Sequence, residues 1–285
     1  MLAYALLESI MTDFELWDDP QLEADLWRLY RDFFDKAERK RRWCLQTDIP
    51  WGDCNKTLDS AMADIVESFC VVELYLPDYL RSAIPKSRPS RARSWFYANW
   101  GYEESKHSLA LSDWLVRSGM RSESQIADIA RNTFQYEWQV PHESIVAMVA
   151  YTMVQERATA LTYRNLRQRV QDDRGDPALE HLLMLLAIDE QAHYNFFRKF
   201  MQLFLERDRD ASLEHLRRVM HTFAMPALHL LADSSQRIAQ IKEFKIFDEE
   251  LYFREVYFPI LESLGVRRSE MKNRVSQPKS APALR

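Results

Sequence analysis

Two Glu-x-x-His motifs, Glu104 to His107 and Glu190 to His193, constrain this chain more than any other feature. On an α-helix, residues three apart share a face about one turn apart, so each motif offers a carboxylate and an imidazole to one point. Of the 7 histidines, only these two have a glutamate three residues before them. Their surroundings are apolar: Glu104 lies between Trp100 and Leu111, and Glu190 follows the run from Leu182 to Ile188. Glu73, after Phe69-Cys-Val-Val72, and Glu156, after the run from Ile145 to Val154, stand in the same position. One motif alone reads equally well as an exposed Glu-His pair on a polar helix face. Four acids on apolar faces are a different matter, because an ionised carboxylate there is costly unless paired or bound to a cation.

The order of these residues repeats. Glu73 precedes Glu104 by 31 residues and Glu156 precedes Glu190 by 34. Each half of the chain is thus a lone glutamate on one helix followed by Glu-x-x-His on the next. A bundle of four such helices matches the ligand arrangement of ferritin-like dimetal carboxylate proteins. Four carboxylates nearly neutralise two divalent ions, and oxygen ligands with two imidazoles suit iron or manganese better than zinc.

The rest of the sequence fits an all-α fold with a ferritin-like four-helix bundle core and additional flanking helices. Only 5 glycines occur, none in a phosphate-binding arrangement, and few stretches alternate at period two, which excludes a nucleotide-binding α/β sheet. The 285 residues can bury one sizeable core, so a single domain is expected over residues 1–266, with 267–285 a polar, disordered tail. Helices are expected at about 20–42, 58 to the low eighties (irregular near Pro77), 92–117, 123–137, 141–170, 177–206, 211–222, 227–243 and 247–262. The 3 cysteines form no Cys-x-x-Cys, so neither a disulfide framework nor a zinc site is expected, which suits a reducing cytoplasm. The start of the chain lacks a signal-peptide pattern, and the longest apolar run is too short to span a bilayer; a soluble, cytoplasmic protein is expected. A net charge of -5 argues against nucleic-acid binding. Positive charge nevertheless clusters at Lys36, Arg39, Lys40, Arg41 and Arg42, and at Lys86, Arg88, Arg91 and Arg93. These are solvated helix ends and loops, or a docking patch for an acidic partner.

Several segments beyond the ligands resemble the soluble acyl-acyl carrier protein desaturases of the stearoyl type, in their shorter bacterial form. Gln155-Glu-Arg-Ala-Thr159 is similar to that family's third-helix motif, and Leu76-Pro-Asp-Tyr79 to the segment after its first glutamate. Trp100 to His107 resembles its Trp-x-x-Glu-Glu-x-x-His, Asp189 to His193 its Asp-Glu-x-x-His, and Met225-Pro-Ala227 a further segment. The likeness runs from about Trp43 to the low 260s. It implies a di-iron, dioxygen-dependent oxidase that desaturates an acyl chain on acyl carrier protein. Glu73 and His107 would then bind one iron, Glu156 and His193 the other, and Glu104 and Glu190 would bridge. It further implies that Trp43, Asp189 and His107 form a route for electrons from a ferredoxin-type donor, that Thr159 manages protons beside the metals, and that the protein is a homodimer. From sequence alone, Trp43 is equally a hydrophobic staple, and Thr159 equally a helix threonine bonded to its own backbone. The basic clusters become candidate docking sites for the carrier protein.

The sequence also departs from that family. Lys106 and Ala192 precede the two histidines where the family carries arginines, which touches groups that orient the ligands. Met148 stands where the family can have glycine, and a shorter or redirected substrate channel is expected. Another oxidation on the same scaffold, hydroxylation or N-oxygenation, remains an alternative, as does non-catalytic iron handling.

Overall fold

A computed structural model of the chain describes residues 19–173, 175–231 and 233–272. The described residues form helices joined by loops, with no strand among them. Helix α1 spans Pro20–Lys40, α2 Ser60–Leu74, α3 Leu76–Ser87, α4 Arg91–Arg117, α5 Glu123–Thr133, α6 Ile145–Asp173, α7 Pro177–Arg207, α8 Arg209–Thr222 and α9 Ser234–Glu243. Helices α2, α4, α6 and α7 are the four that carry the acids singled out above. Helices α6 and α7 are a long packed pair, α2 packs on α4, α4 packs on α7, and α1 lies across α4 and α7.

Local chemistry sets the helix ends. Asp19 caps α1 by accepting from the Gln21 and Leu22 amides, and Ser122 and Gln125 form a reciprocal capping box on α5. Asp176 caps α7, with Pro177 in its first turn, by accepting from the Leu179 amide. Its second oxygen accepts from the Trp114 indole and the Asn55 amide, so one buried carboxylate ties α7, α4 and the loop before α2 together. Gly101 lets α3 approach α4: a Cβ there would lie 2.8 Å from Leu80 Cδ1. That close approach explains a glycine inside a long helix, where it costs about 1 kcal/mol relative to alanine.

The expected second helix is two helices. The chain turns at Tyr75, and Pro77 opens α3, where a missing amide hydrogen costs nothing. Nor is 227–243 one helix, because Ala227 and Asp233 hold left-handed backbone conformations that leave only a short 3-10 turn, Leu228–Leu230, before α9. The stretch expected at 123–137 ends at Thr133, and 247–262 contains a π-helical segment, Tyr252–Tyr257. Within the stretch expected to be disordered from 267, Arg268–Met271 forms a 3-10 turn in which Met271 is buried and Glu270 pairs with Arg209. Residues 273–285 and the N-terminal residues 1–18 lie outside the described residues. The cysteines are unpaired. No helix among the described residues is long and apolar enough to cross a membrane.

Candidate metal centre

The four long helices bring Glu73, Glu104, His107, Glu156, Glu190 and His193 into one buried cluster. Ligand-capable atoms of Glu73, Glu104, His107 and Glu190 lie within 4.8 Å of one another, and so do those of Glu104, Glu156, Glu190 and His193. Glu104 and Glu190 belong to both groups, so the geometry offers two adjacent cation positions with two shared carboxylates. His107 Nδ1 lies 3.2 Å from Glu104 and 3.3 Å from Glu190. His193 Nδ1 lies 2.8 Å from Glu104 Oε1, yet the angles make no hydrogen bond. Four buried atoms are left without a hydrogen-bond partner here: Glu104 Oε1, Glu156 Oε2, His107 Nδ1 and His193 Nδ1. Orphaned buried donors and acceptors are costly, and two divalent cations would satisfy all four. The residues therefore fit a dimetal group.

Electrostatics point the same way. Burial pushes the carboxyls of Glu73 and Glu156 well above the usual range, and repulsion from Glu104 and Glu190 pushes them further. Burial alone would lower the two imidazoles, but the surrounding carboxylates override it and raise both. Four glutamates outnumber the two imidazoles, so without a cation the cluster balances its charge by holding protons.

Each outer carboxylate has one oxygen occupied by an aromatic donor. The Tyr163 hydroxyl donates to Glu73 Oε1 at 2.5 Å, and the Trp100 indole donates to Glu156 Oε1 at 3.0 Å. One oxygen of each remains to face a metal.

The far nitrogens of the imidazoles are held by acids on the opposite motif. His107 Nε2 meets Asp189 Oδ2 at 3.4 Å, and His193 Nε2 meets Glu103 Oε2 at 2.7 Å. With Nε2–H donating outward, each Nδ1 is free for a metal. Glu103 was missed in the sequence, although it occupies the position before Glu104 that Asp189 occupies before Glu190. Tyr163 was missed too, two helical turns after Glu156; Phe33, Trp100 and Phe196 complete the apolar floor around His193.

The Trp43 indole donates to Asp189 Oδ2 at 2.7 Å, so Trp43, Asp189 and His107 form a continuous hydrogen-bonded chain. Lys106 donates to the Trp43 carbonyl at 3.0 Å and lies 4.0 Å over its ring. Thr159 donates to the Gln155 carbonyl at 3.0 Å, the bond to its own helix that the sequence left open.

Three of the basic residues expected on the surface need correction. Arg93 is buried, and Arg41 lies inside, paired with Glu103 at 2.8 Å and Asp189 at 2.5 Å. Arg42 is half-buried, bonded to Glu38, Asn99 and Glu103. Buried Glu103 recruited the guanidiniums of Arg41 and Arg42, and Asp189 that of Arg41, a demand that a local run of positive charge does not reveal. Arg39, Lys40, Arg88 and Arg91 are exposed.

A four-helix bundle with this ligand set is ferritin-like, and comparison with known proteins narrows the class. The family model described as fatty acid desaturase matches residues 54–277, and the chain belongs to that family. A putative acyl-[acyl-carrier-protein] desaturase, DesA1 of Mycobacterium tuberculosis, is 23% identical over 226 residues, 76% of this chain. The chain's match spans 65% of DesA1's length. Among solved structures, the putative acyl-ACP desaturase DesA2 of Mycobacterium tuberculosis H37Rv superposes with a TM-score of 0.67 at 15% identity, over 86% of this chain and 95% of that one. An R2-like ligand-binding oxidase carrying a Mn/Fe cofactor superposes at 0.57 and 18% identity, over 90% and 95% of the two chains. The same oxidase has also been solved with an Fe/Fe cofactor.

Proposed function

We propose that this protein is a di-iron, dioxygen-dependent oxidase that introduces a double bond into an acyl chain carried on acyl carrier protein. The observation that carries the assignment is the pair of ligand groups sharing Glu104 and Glu190, in a member of the fatty acid desaturase family. Glu73 and His107 would hold one ion, Glu156 and His193 the other, and Glu104 and Glu190 would be shared by both. When bound, the metal pair supplies the oxidising power toward an unactivated C–H bond that no amino-acid side chain has. The protein's own residues do the rest. Tyr163 and Trp100 orient the outer carboxylates, Glu103 and Asp189 fix the imidazoles, and the aromatic floor keeps water from the reacting groups. Trp43, Asp189 and His107 give electrons from a ferredoxin-type donor a bonded path inward. Thr159 stands one turn from Glu156 with its hydroxyl oriented by Gln155, beside the reacting face.

Met148 supports a restricted channel. With Tyr79, Tyr97, Trp100, Tyr151 and Gln155 it lines a cavity of only about 30 Å³, room for a water or two. An acyl chain must enter by another line or end short of this wall.

The test is direct. Iron-loaded protein, reduced and then exposed to oxygen with an acyl carrier protein substrate, is expected to yield product lighter by two hydrogens in the mass spectrum. A gain of one oxygen would replace desaturation with hydroxylation, and iron oxidation in multi-iron excess without organic product would replace it with iron handling.

The carrier protein is expected to land on the exposed cations. Arg91 lies 4.0 Å over the Trp27 ring and 5.4 Å over the exposed Trp95, which places charge and aromatic surface together. Reversing Arg39, Lys40 and Arg88 to glutamate should raise KM for the carrier-bound substrate about tenfold, equivalent to about 1.4 kcal/mol, with bound iron unchanged. An unaltered KM would remove this surface from consideration.

A further inference from the structure

Six acids converge on the centre: the four glutamates that face the cation positions, and Glu103 and Asp189 behind the imidazoles. Two divalent ions would leave two of those charges unmet. Cations next in the chain to the motifs do not pair with Glu103 or Asp189 directly. Ala192 precedes His193, and Lys106, which precedes His107, spends its ammonium on the Trp43 carbonyl. The guanidinium between Glu103 and Asp189 comes instead from the residue just after α1, outside the metal-bearing bundle.

Arg41 Nη1 lies 2.8 Å from Glu103 Oε2 and 2.5 Å from Asp189 Oδ1, while its Nη2 donates to Glu103 Oε1 at 3.0 Å. Glu103 holds His193, and Asp189 holds both His107 and the Trp43 indole. Arg42 reaches Glu103 but has no contact with Asp189 among its described bonds. The Phe33 ring, 5.0 Å beneath the Arg41 guanidinium and 6.2 Å from the His193 ring, sets the plane of the fork. A planar fork can hold two carboxylates at fixed spacing, which a point-like ammonium cannot.

We propose that Arg41 is a positioning residue: its guanidinium braces Glu103 against Asp189 and thereby fixes both histidine ligands of the centre at once. The seating of α1 then governs the affinity of both metal positions together, although α1 supplies no ligand. The proposal rests on the dimetal reading of the site, and its test separates the two.

Metal-free protein is titrated with Mn2+, free ion being followed by its EPR signal, and the imidazole N–H groups are followed in protein labelled with 15N-histidine. Wild type is expected to bind two ions; if it binds none, the dimetal reading fails, and the brace stands or falls on whether the N–H resonances of both histidines shift in the Arg41 variant. Arg41→Met is expected to weaken both ions by roughly 10–100-fold, the usual cost of losing an outer-shell partner, and to shift the N–H resonances of both His107 and His193. Arg41 also lines a cavity of about 230 Å³ between α1 and α7, with Leu29, Lys36 and Lys199 among its walls. Millimolar methylguanidinium should therefore enter the Met variant and restore part of the affinity, while methylammonium should not. Arg41→Lys is expected to recover little. Wild-type affinity in the Met variant, weakening of one ion alone, or full function of the Lys variant would each overturn the brace.

Discussion

Glu104→Ala is expected to abolish stoichiometric binding of both metal ions, whereas Glu156→Ala should leave the Glu73 and His107 position occupied. Glu104 belongs to both ligand groups, and Glu156 to only one. Removing a shared ligand strips each position of an anion at the same time. The loss at each should exceed the roughly 10–100-fold that accompanies removal of an outer-shell partner. Glu190→Ala should behave like Glu104→Ala. Metal analysis after anaerobic iron loading distinguishes the outcomes, with two, one or no ions per chain as the readout. Two tightly held ions in Glu104→Ala would mean that the bridging assignment is wrong.

The second large effect is on stability. Glu73, Glu104, Glu156 and Glu190 are buried together, so the metal-free fold carries their repulsion. A ligand at 100 times its Kd adds about 2.7 kcal/mol per site if the unfolded chain does not bind it. Two ions would add about 5 kcal/mol, and at about 2–4 °C per kcal/mol the melting temperature should rise by about 10–20 °C. Calorimetry with and without Fe2+ or Mn2+ reads this directly, and a chelator should reverse it. The increment should also grow with pH. Glu73, Glu156, His107 and His193 all titrate above their ordinary values in the metal-free fold. Stability from such groups is complete below their unfolded pKa and is lost as pH rises through the folded one, so the metal-free protein weakens on the alkaline side. Metal binding, which needs the deprotonated ligands, strengthens there. A melting temperature indifferent to metal across this range would contradict a buried dimetal centre.

The four glutamates were legible because each breaks a simple rule, an acid standing where the helix pattern demanded an apolar side chain, and the two histidines were legible from their spacing to Glu104 and Glu190. The order of the elements was legible for the same reason, since periodicity and proline positions are local. What the sequence hid is set by contacts between distant segments. Glu103 looked like an ordinary helix acid until α7 brought His193 to it. Arg41 looked like part of a solvated basic run, although the same run contains exposed Arg39 and Lys40. Tyr163 carried no signal beyond its place on the Glu156 helix. The left-handed residues Ala227 and Asp233 broke an expected helix, and alanine is a type that seldom adopts that conformation, so nothing local announced the break at Ala227.

The turn at Tyr75 makes the two cation positions unequal in one more respect. Glu104, Glu156 and Glu190 project from helix interiors, locked by turns on both sides, whereas Glu73 is the second-last residue of α2. The Val72 carbonyl accepts from the Tyr79 hydroxyl at 2.9 Å and from the Tyr75 amide at 3.2 Å, while Pro77 brings no amide to the Glu73 carbonyl, so this helix end is held by the turn that follows it. Fraying one final turn disrupts far less structure than opening a helix in its middle. On the proposed dimetal reading, the Glu73 side would be the first to open for loading or exchange of an ion, and the Glu156 side the one to keep its occupant.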